Sequence, residues 1–185
     1  MTWLSDVNGK SQVRVRTTVD EFEKVVMQNG WQQIKNFQMA RGGLLWNADR
    51  VTLDVQSITP QTIHCKARCK ETSISFHISL VYGLFTIVNR RQLWDTLKNL
   101  GVDSDQPWLV MGHFNSITSP DEKIYGAEVT GYETKDMLEL ALGLVDMASY
   151  GCFYTWTNNQ VWCKLDRAMV NPGWLQADYF GQASF

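Results

Sequence analysis

Residues Pro107-Trp108-Leu109-Val110-Met111-Gly112-His113-Phe114-Asn115 constrain this chain more than any other stretch. An unbroken apolar run stops at a glycine and gives way to residues of another character. Strands buried on both faces read this way, and they deliver polar side chains to the edge of a sheet, where chemistry is done.

The rest of the chain supplies partners for such a strand. Thr62 to Cys69 and Ile74 to Tyr82 predict a hairpin turning at Lys70-Glu71-Thr72-Ser73. In its second arm Ile74, Phe76, Ile78 and Leu80 alternate with Ser75, His77 and Ser79, so the first set is expected on a buried face and His77 on the other. Trp31 to Phe37 suggests a strand. Gly42 to Asn47 and Val51 to Val55 suggest a hairpin around Ala48-Asp49-Arg50, and Val161 to Val170 a further strand.

Three helices are expected. Val19 to Gly30 has Asp20 as its cap and Phe22, Val25 and Val26 on one face. Thr86 to Leu100 starts at a Thr cap, stops at Gly101, and stripes Ile87, Leu93, Trp94, Leu97 and Leu100 along one side. Tyr132 to Met147 carries Met137, Leu138, Ala141, Leu142 and Val145 as its apolar face. Asn171-Pro172-Gly173-Trp174 then opens a short helix or turn. Strands interleaved with helices fit an α/β or α+β architecture of two packed sheets with helices outside, and 185 residues fit one domain spanning 1–185.

Composition narrows the function classes. No apolar run reaches the ~18 residues that span a membrane. The start, Met1-Thr2-Trp3-Leu4-Ser5-Asp6, has neither the basic start nor the apolar core of a signal peptide, so an intracellular protein is expected. A net charge of -2 argues against a protein that coats nucleic acid generically. It leaves room for a locally positive groove, with Arg14, Arg16, Arg41, Arg90 and Arg91 as its candidates. Cys65, Cys69, Cys152 and Cys163 match no disulfide framework or zinc spacing and are expected as buried thiols. His64 and Cys65 point to opposite faces of a strand, which argues against a metal site there. Nothing in the sequence points to an oligomer.

Four segments together carry a resemblance. They are Val81-Tyr82-Gly83, Gly112-His113-Phe114-Asn115, Gly151-Cys152-Phe153-Tyr154-Thr155-Trp156-Thr157-Asn158 and Lys164-Leu165-Asp166-Arg167-Ala168-Met169-Val170-Asn171. In order and spacing the chain from Gly43 to Trp174 resembles the endonuclease/exonuclease/phosphatase superfamily. It is most similar to the endonuclease domain of plant LINE-type non-LTR retrotransposons. The resemblance implies a DNase I-like, four-layered α/β sandwich of two packed mixed sheets with outer helices and a site at one rim. It also implies Mg2+-dependent phosphodiester hydrolysis, DNA as the partner and a nuclear location. By position, Tyr82 stands where the family has a phosphate-contacting Tyr, Asn115 where it has the Asn of a Gly-Asp-Phe-Asn turn, and Asp166 where it has the Asp that orients a catalytic His. The residues alone also allow plainer roles: Tyr82 ending a strand, Asn115 capping a loop before Ser116, Asp166 pairing with Lys164 or Arg167.

Three departures from the family pattern predict a catalytically impaired copy. His113 replaces the Asp of the turn, and a neutral imidazole cannot supply the carboxylate's charge, although it could accept a proton from water. Gln12, in Gln12-Val13-Arg14-Val15-Arg16, falls at the family's metal-binding Glu, keeping its shape and losing its charge; a hard Mg2+ ion wants carboxylate oxygens. The first family strand and the C-terminal Ser-Asp-His segment are expected to be missing, and with them the His that Asp166 would orient. A non-catalytic nucleic-acid or protein interaction module using the residual groove is the alternative.

Overall fold

The apolar run lies in the middle of a sheet. The protein is described here by a computed structural model covering residues 2–5, 11–16, 31–35, 43–72, 74–100, 105–141, 143–177, 179 and 181–185, with side chains from residue 46 onward. Its strands in chain order are β1 (Thr2–Ser5), β2 (Ser11–Arg16), β3 (Trp31–Lys35), β4 (Gly43–Asn47), β5 (Val51–Ile58), β6 (Thr62–Cys69), β7 (Ser75–Tyr82), β8 (Trp108–His113), β9 (Lys123–Ile124), β10 (Val145–Asp146), β11 (Ser149–Tyr150), β12 (Trp156–Thr157), β13 (Trp162–Cys163), β14 (Asp166–Val170) and β15 (Gln182–Ser184). Helices are α1 (Ile87–Leu100), α2 (Gly131–Ala141) and α3 (Pro172–Gln176).

Two six-stranded sheets, ordered β11-β15-β1-β2-β4-β3 and β10-β14-β8-β7-β6-β5, form an α/β sandwich, and a small sheet β12-β13-β9 sits beside them. Both large sheets are mixed: β7 runs parallel to β8, and β11 parallel to β15. No helix among the described residues is long and apolar enough to cross a membrane.

β8 explains its own sequence. Leu109 and Met111 face the other sheet, packed with Ile63, Ile78, Leu80 and Ala168. Trp108 and Val110 face the helices, packed with Leu93, Leu97 and Met137. Both faces are dry, so every position is apolar. Each such side chain contributes about 1.5–3 kcal/mol on burial.

The β6–β7 hairpin forms as expected, antiparallel, with Ile78 opposite Cys65 and Phe76 opposite Ala67. Phe76, Ile78 and Leu80 are buried in the inter-sheet core and Ile74 packs against it. The opposite face is not simply solvated. Ser79 is fully buried there, beside buried His64. Trp108 Nε1 donates to Ser79 Oγ at 2.9 Å, and Ser79 Oγ lies 2.8 Å from His64 Nδ1. His64 Nε2 lies 3.3 Å from His77 Nδ1, and His77 Nε2 3.0 Å from Gln106 Oε1. The Trp can only donate, so one consistent arrangement runs outward: Ser79 donates to His64, His64 to His77, and His77 to Gln106.

This chain of bonds has a pH consequence. Burial, and then the neighbouring His77, push the His64 pKa down from 6.5 to about 4. The folded protein therefore keeps His64 neutral while the unfolded chain takes up a proton. Stability present above pH 6.5 is lost as pH falls toward 4, by up to about 3 kcal/mol. Thermal melts from pH 7 to pH 4 should show a steeper loss in the wild type than in His64→Gln. Equal slopes would remove His64 as the cause.

Four expectations need correction. β4 and β5 are not a hairpin: β4 pairs with β2 and β3 in one sheet, and β5 with β6 in the other. The Asn47–Arg50 turn, in which Asn47 Oδ1 accepts from Asp49 N, is a corner between sheets. It lets Trp46 and Val51 both enter the inter-sheet core. α2 ends at Ala141, not Met147; its buried side is Thr134, Met137 and Leu140, while Leu138 is exposed and Val145 belongs to β10. Residues 161–170 are two strands, β13 and β14, in different sheets, because the chain breaks pairing at Lys164-Leu165. Cys152 is exposed, although Cys65, Cys69 and Cys163 are buried as expected, and all four are free.

α1 and α3 agree with expectation. Thr86 Oγ1 accepts from Asn89 N at the start of α1, and Asn171 Oδ1 from Trp174 N at the start of α3. Trp31–Lys35 is a strand. The helix expected at residues 19–30, including Asp20, Phe22, Val25 and Val26, lies outside the described residues, as do Arg41, Gly101 and Leu142.

Candidate active-site rim

Strand register brings the motifs together. β7 and β8 set Tyr82 beside His113, and β8 and β14 set His113 beside Asp166. In-register residues on neighbouring strands share a face. Each also has the parity of inter-sheet core residues on its own strand: Leu80, Met111 and Ala168. The polar triplet is thus the outer end of the inter-sheet face.

Two glycines permit the approach. Gly112 sits at φ 135°, and a Cβ on it would lie 2.2 Å from the Val81 carbonyl oxygen. A Cβ on Gly83 would lie 2.2 Å from the Phe114 carbonyl oxygen. Gly83 N donates to His113 O, and Phe114 N to Leu165 O. Phe114 then turns into the helix-side core and stacks on Trp94. Asn115, at φ 53°, comes back to the rim, where its Nδ2 donates to Gly83 O at 3.2 Å.

His113 Nδ1 lies 3.2 Å from Asp166 Oδ1, with both side chains mostly shielded at 12% and 14% exposure. The Tyr82 ring stacks on the imidazole at 5.5 Å between centroids. The histidine beside Asp166 is His113. The alternative partners go elsewhere. Arg167 pairs with Glu122 and with Asp146, and Lys164 with Asp146 and Glu122. Burial pushes the Glu122 carboxyl up, but hydrogen bonds from Arg167 and Thr118 outweigh it and leave the group below its ordinary range. This ion cluster anchors the strand that carries Asp166.

Sequence reasoning missed two supports. Thr155 Oγ1 accepts from Asp166 N at 2.9 Å and Leu165 N at 3.1 Å, which gives the Phe-Tyr-Thr-Trp segment a physical role. Arg90, expected as a surface cation of a groove, is only 5% exposed. Its Nη1 donates to the carbonyls of Leu84 and Phe85, and its Nε is buried without a partner. The sequence signal was available: Arg90 sits three and four residues before Leu93 and Trp94, on the buried stripe of α1. Burial lowers its pKa, against the opposing charges of Asp136 and Glu133. Arg91 is half-exposed and lies 3.9 Å from Asp136.

Tyr82 and His113 open on a cavity of about 720 Å³ that is lined also by Phe85, Arg90, Asn115 and Trp156, among others. Phe85, 84% exposed, stands at its mouth. Among the described residues the donor set does not suit Mg2+. No three His, Cys, Asp or Glu side chains gather as a possible metal site among the described residues. An imidazole stands in the turn, and it engages Oδ1 of the Asp166 carboxylate; a hard cation wants several carboxylate oxygens and water. Gln12 lies in β2, with its side chain outside what is described.

No family model matches the sequence, and no curated protein matches it. Solved structures do match. The human Nocturnin catalytic domain superposes with a TM-score of 0.58 at 15% identity, over 89% of this chain and 71% of that one. The mannosyl-6-phosphatase Bt3783 of Bacteroides thetaiotaomicron gives 0.58 at 12% identity, over 87% and 71%. The endonuclease domain of TRAS1, a telomere-specific non-LTR retrotransposon, gives 0.59 at 10% identity, over 77% and 65%. Two sheets packed as a sandwich, and this set of structural neighbours, identify the architecture as the DNase I-like fold of the endonuclease/exonuclease/phosphatase proteins.

Proposed function

We propose that residues 1–185 are a phosphodiester-recognising domain related to retrotransposon endonucleases, of the plant LINE type, in which Mg2+-dependent hydrolysis is impaired. The observation that carries this reading is the hydrogen bond between His113 and Asp166. It replaces a carboxylate with an imidazole and engages the neighbouring carboxylate at the same time. Gln12, by the sequence reading, removes a further negative charge. Tyr82 and Asn115 remain at the rim as polar groups for a phosphate, and Lys123 lines the same cavity as a cation, with Glu133 as its anionic counterpart. DNA is the proposed partner, supported by the four motifs and by the retrotransposon endonuclease among the structural neighbours.

The test is nicking of supercoiled plasmid in matched Mg2+ and Mn2+ reactions. Wild type should show no cleavage above a His113→Ala control. His113→Asp should not rescue it, because by the sequence reading Gln12 still stands where the family has its metal-binding Glu. Robust wild-type nicking lost in His113→Ala would overturn the proposal. Nicking seen in His113→Asp alone would make this one position the entire lesion.

A further inference from the structure

We propose that the His113–Asp166 pair is a metal-independent general base that hydrolyses aryl phosphodiesters. This rests on the reading of the rim as a phosphodiester site and adds a reaction to it. Asp166 accepts from His113 Nδ1, which fixes the ring proton on that nitrogen and leaves the Nε2 lone pair free. Nε2 has no protein partner among the described residues, and the side chain lines the cavity. The geometry is that of a base held by an orienting carboxylate, assembled from two adjacent strands. Stacking on Tyr82 restrains rotation of the ring. Shielding of both side chains strengthens the hydrogen bond between them. Lys123, which lines the same cavity together with Glu133, is the cation offered to the ligand's charge.

The step balances without a metal. Nε2 takes a proton from water as the water oxygen bonds to phosphorus. The bond from phosphorus to the aryl oxygen breaks, and its electron pair leaves with the aryloxide, which needs no proton. The imidazolium then releases its proton to solvent. The pair supplies a base and no acid, so an alkoxide leaving group, as in DNA, gains little from it. Intact plasmid and a hydrolysed aryl diester are therefore compatible results.

The experiment is hydrolysis of bis(4-nitrophenyl) phosphate by the full chain in EDTA, followed by nitrophenolate absorbance. Turnover is expected, and added Mg2+ should leave it unchanged. His113→Ala and His113→Gln should each lower kcat about 100-fold. Both are checked for folding by circular dichroism and thermal melting, and added imidazole should restore part of the rate to His113→Ala. Asp166 acts through His113 as a positioning residue, so Asp166→Asn should lower kcat at least about tenfold while KM stays within about twofold. Folded wild type without EDTA-resistant turnover, or with turnover equal to that of His113→Ala, overturns the inference. Binding of a fluorescent thymidine oligonucleotide would then still stand for the phosphodiester-recognising rim. Mg2+-dependent plasmid nicking would instead overturn the impaired-hydrolysis reading itself.

Discussion

Gly83→Ala is expected to destabilise the protein by more than about 4 kcal/mol, in the range reserved for direct steric conflict. The new Cβ would sit 2.2 Å from Phe114 O and 2.8 Å from Phe114 C. Both are backbone atoms of the turn that carries His113 and Asn115, and that turn is tied on its other side to Leu165. Relief requires β7 and β8 to separate where Tyr82 meets His113. Gly131→Ala is the matched control. Nothing lies within 4 Å of its Cβ position at the start of α2, so its effect should stay within about 0.5 kcal/mol. Urea denaturation of the two variants decides the matter; equal midpoints would mean that the close approach at Gly83 is not as described.

Arg167→Met is expected to cost about 3–5 kcal/mol, because it takes the hydrogen-bonded cation from the buried Glu122 carboxylate and leaves only Lys164, 3.8 Å away. Arg167 is 2% exposed and joins Glu122 to Asp146 across the base of the rim. Adding Glu122→Gln should recover much of the loss, since the poorly compensated buried charge then disappears. The cluster also sets a second acid window. Glu122 is held below its ordinary value of 4.5, so its contribution is present above that value and fades as pH falls below it. This window lies beneath that of His64. A biphasic acid titration of stability, with the upper phase lost in His64→Gln and the lower in Arg167→Met, is the measurement. A single phase untouched by either substitution would refute the assignment.

Local patterns in the sequence were good guides where burial is one-sided or complete. The run at Trp108–Met111, the alternation from Ile74 to Leu80 and the stripe on α1 all reappear as packed faces, since period and burial have the same cause. The order of the motifs also foretold the DNase I-like sandwich. Patterns failed where a decision is tertiary. Asn47–Arg50 has the chemistry of a hairpin turn, and nothing local says that the next strand joins the opposite sheet. The apolar spacing after Ala141 continues in the sequence while the chain turns at Gly143. Arg90 was read by its charge, though its position on the α1 stripe marked it for burial. At the rim, Tyr82, His113, Asn115 and Asp166 were all legible as individual residues. The bond between His113 and Asp166 was not, because 53 positions separate them and only the β8–β14 register makes them neighbours.

The central claim is that the rim holds an imidazole–carboxylate pair where a hard-cation site would need free carboxylates. Calorimetric titration of Mg2+ into the wild-type protein at neutral pH tests it most directly. The account predicts no saturable heat through the millimolar range, and the same flat trace for Asp166→Asn. A one-to-one Mg2+ site in the wild type that vanishes in Asp166→Asn would contradict it, because Asp166 would then be serving a metal and not His113.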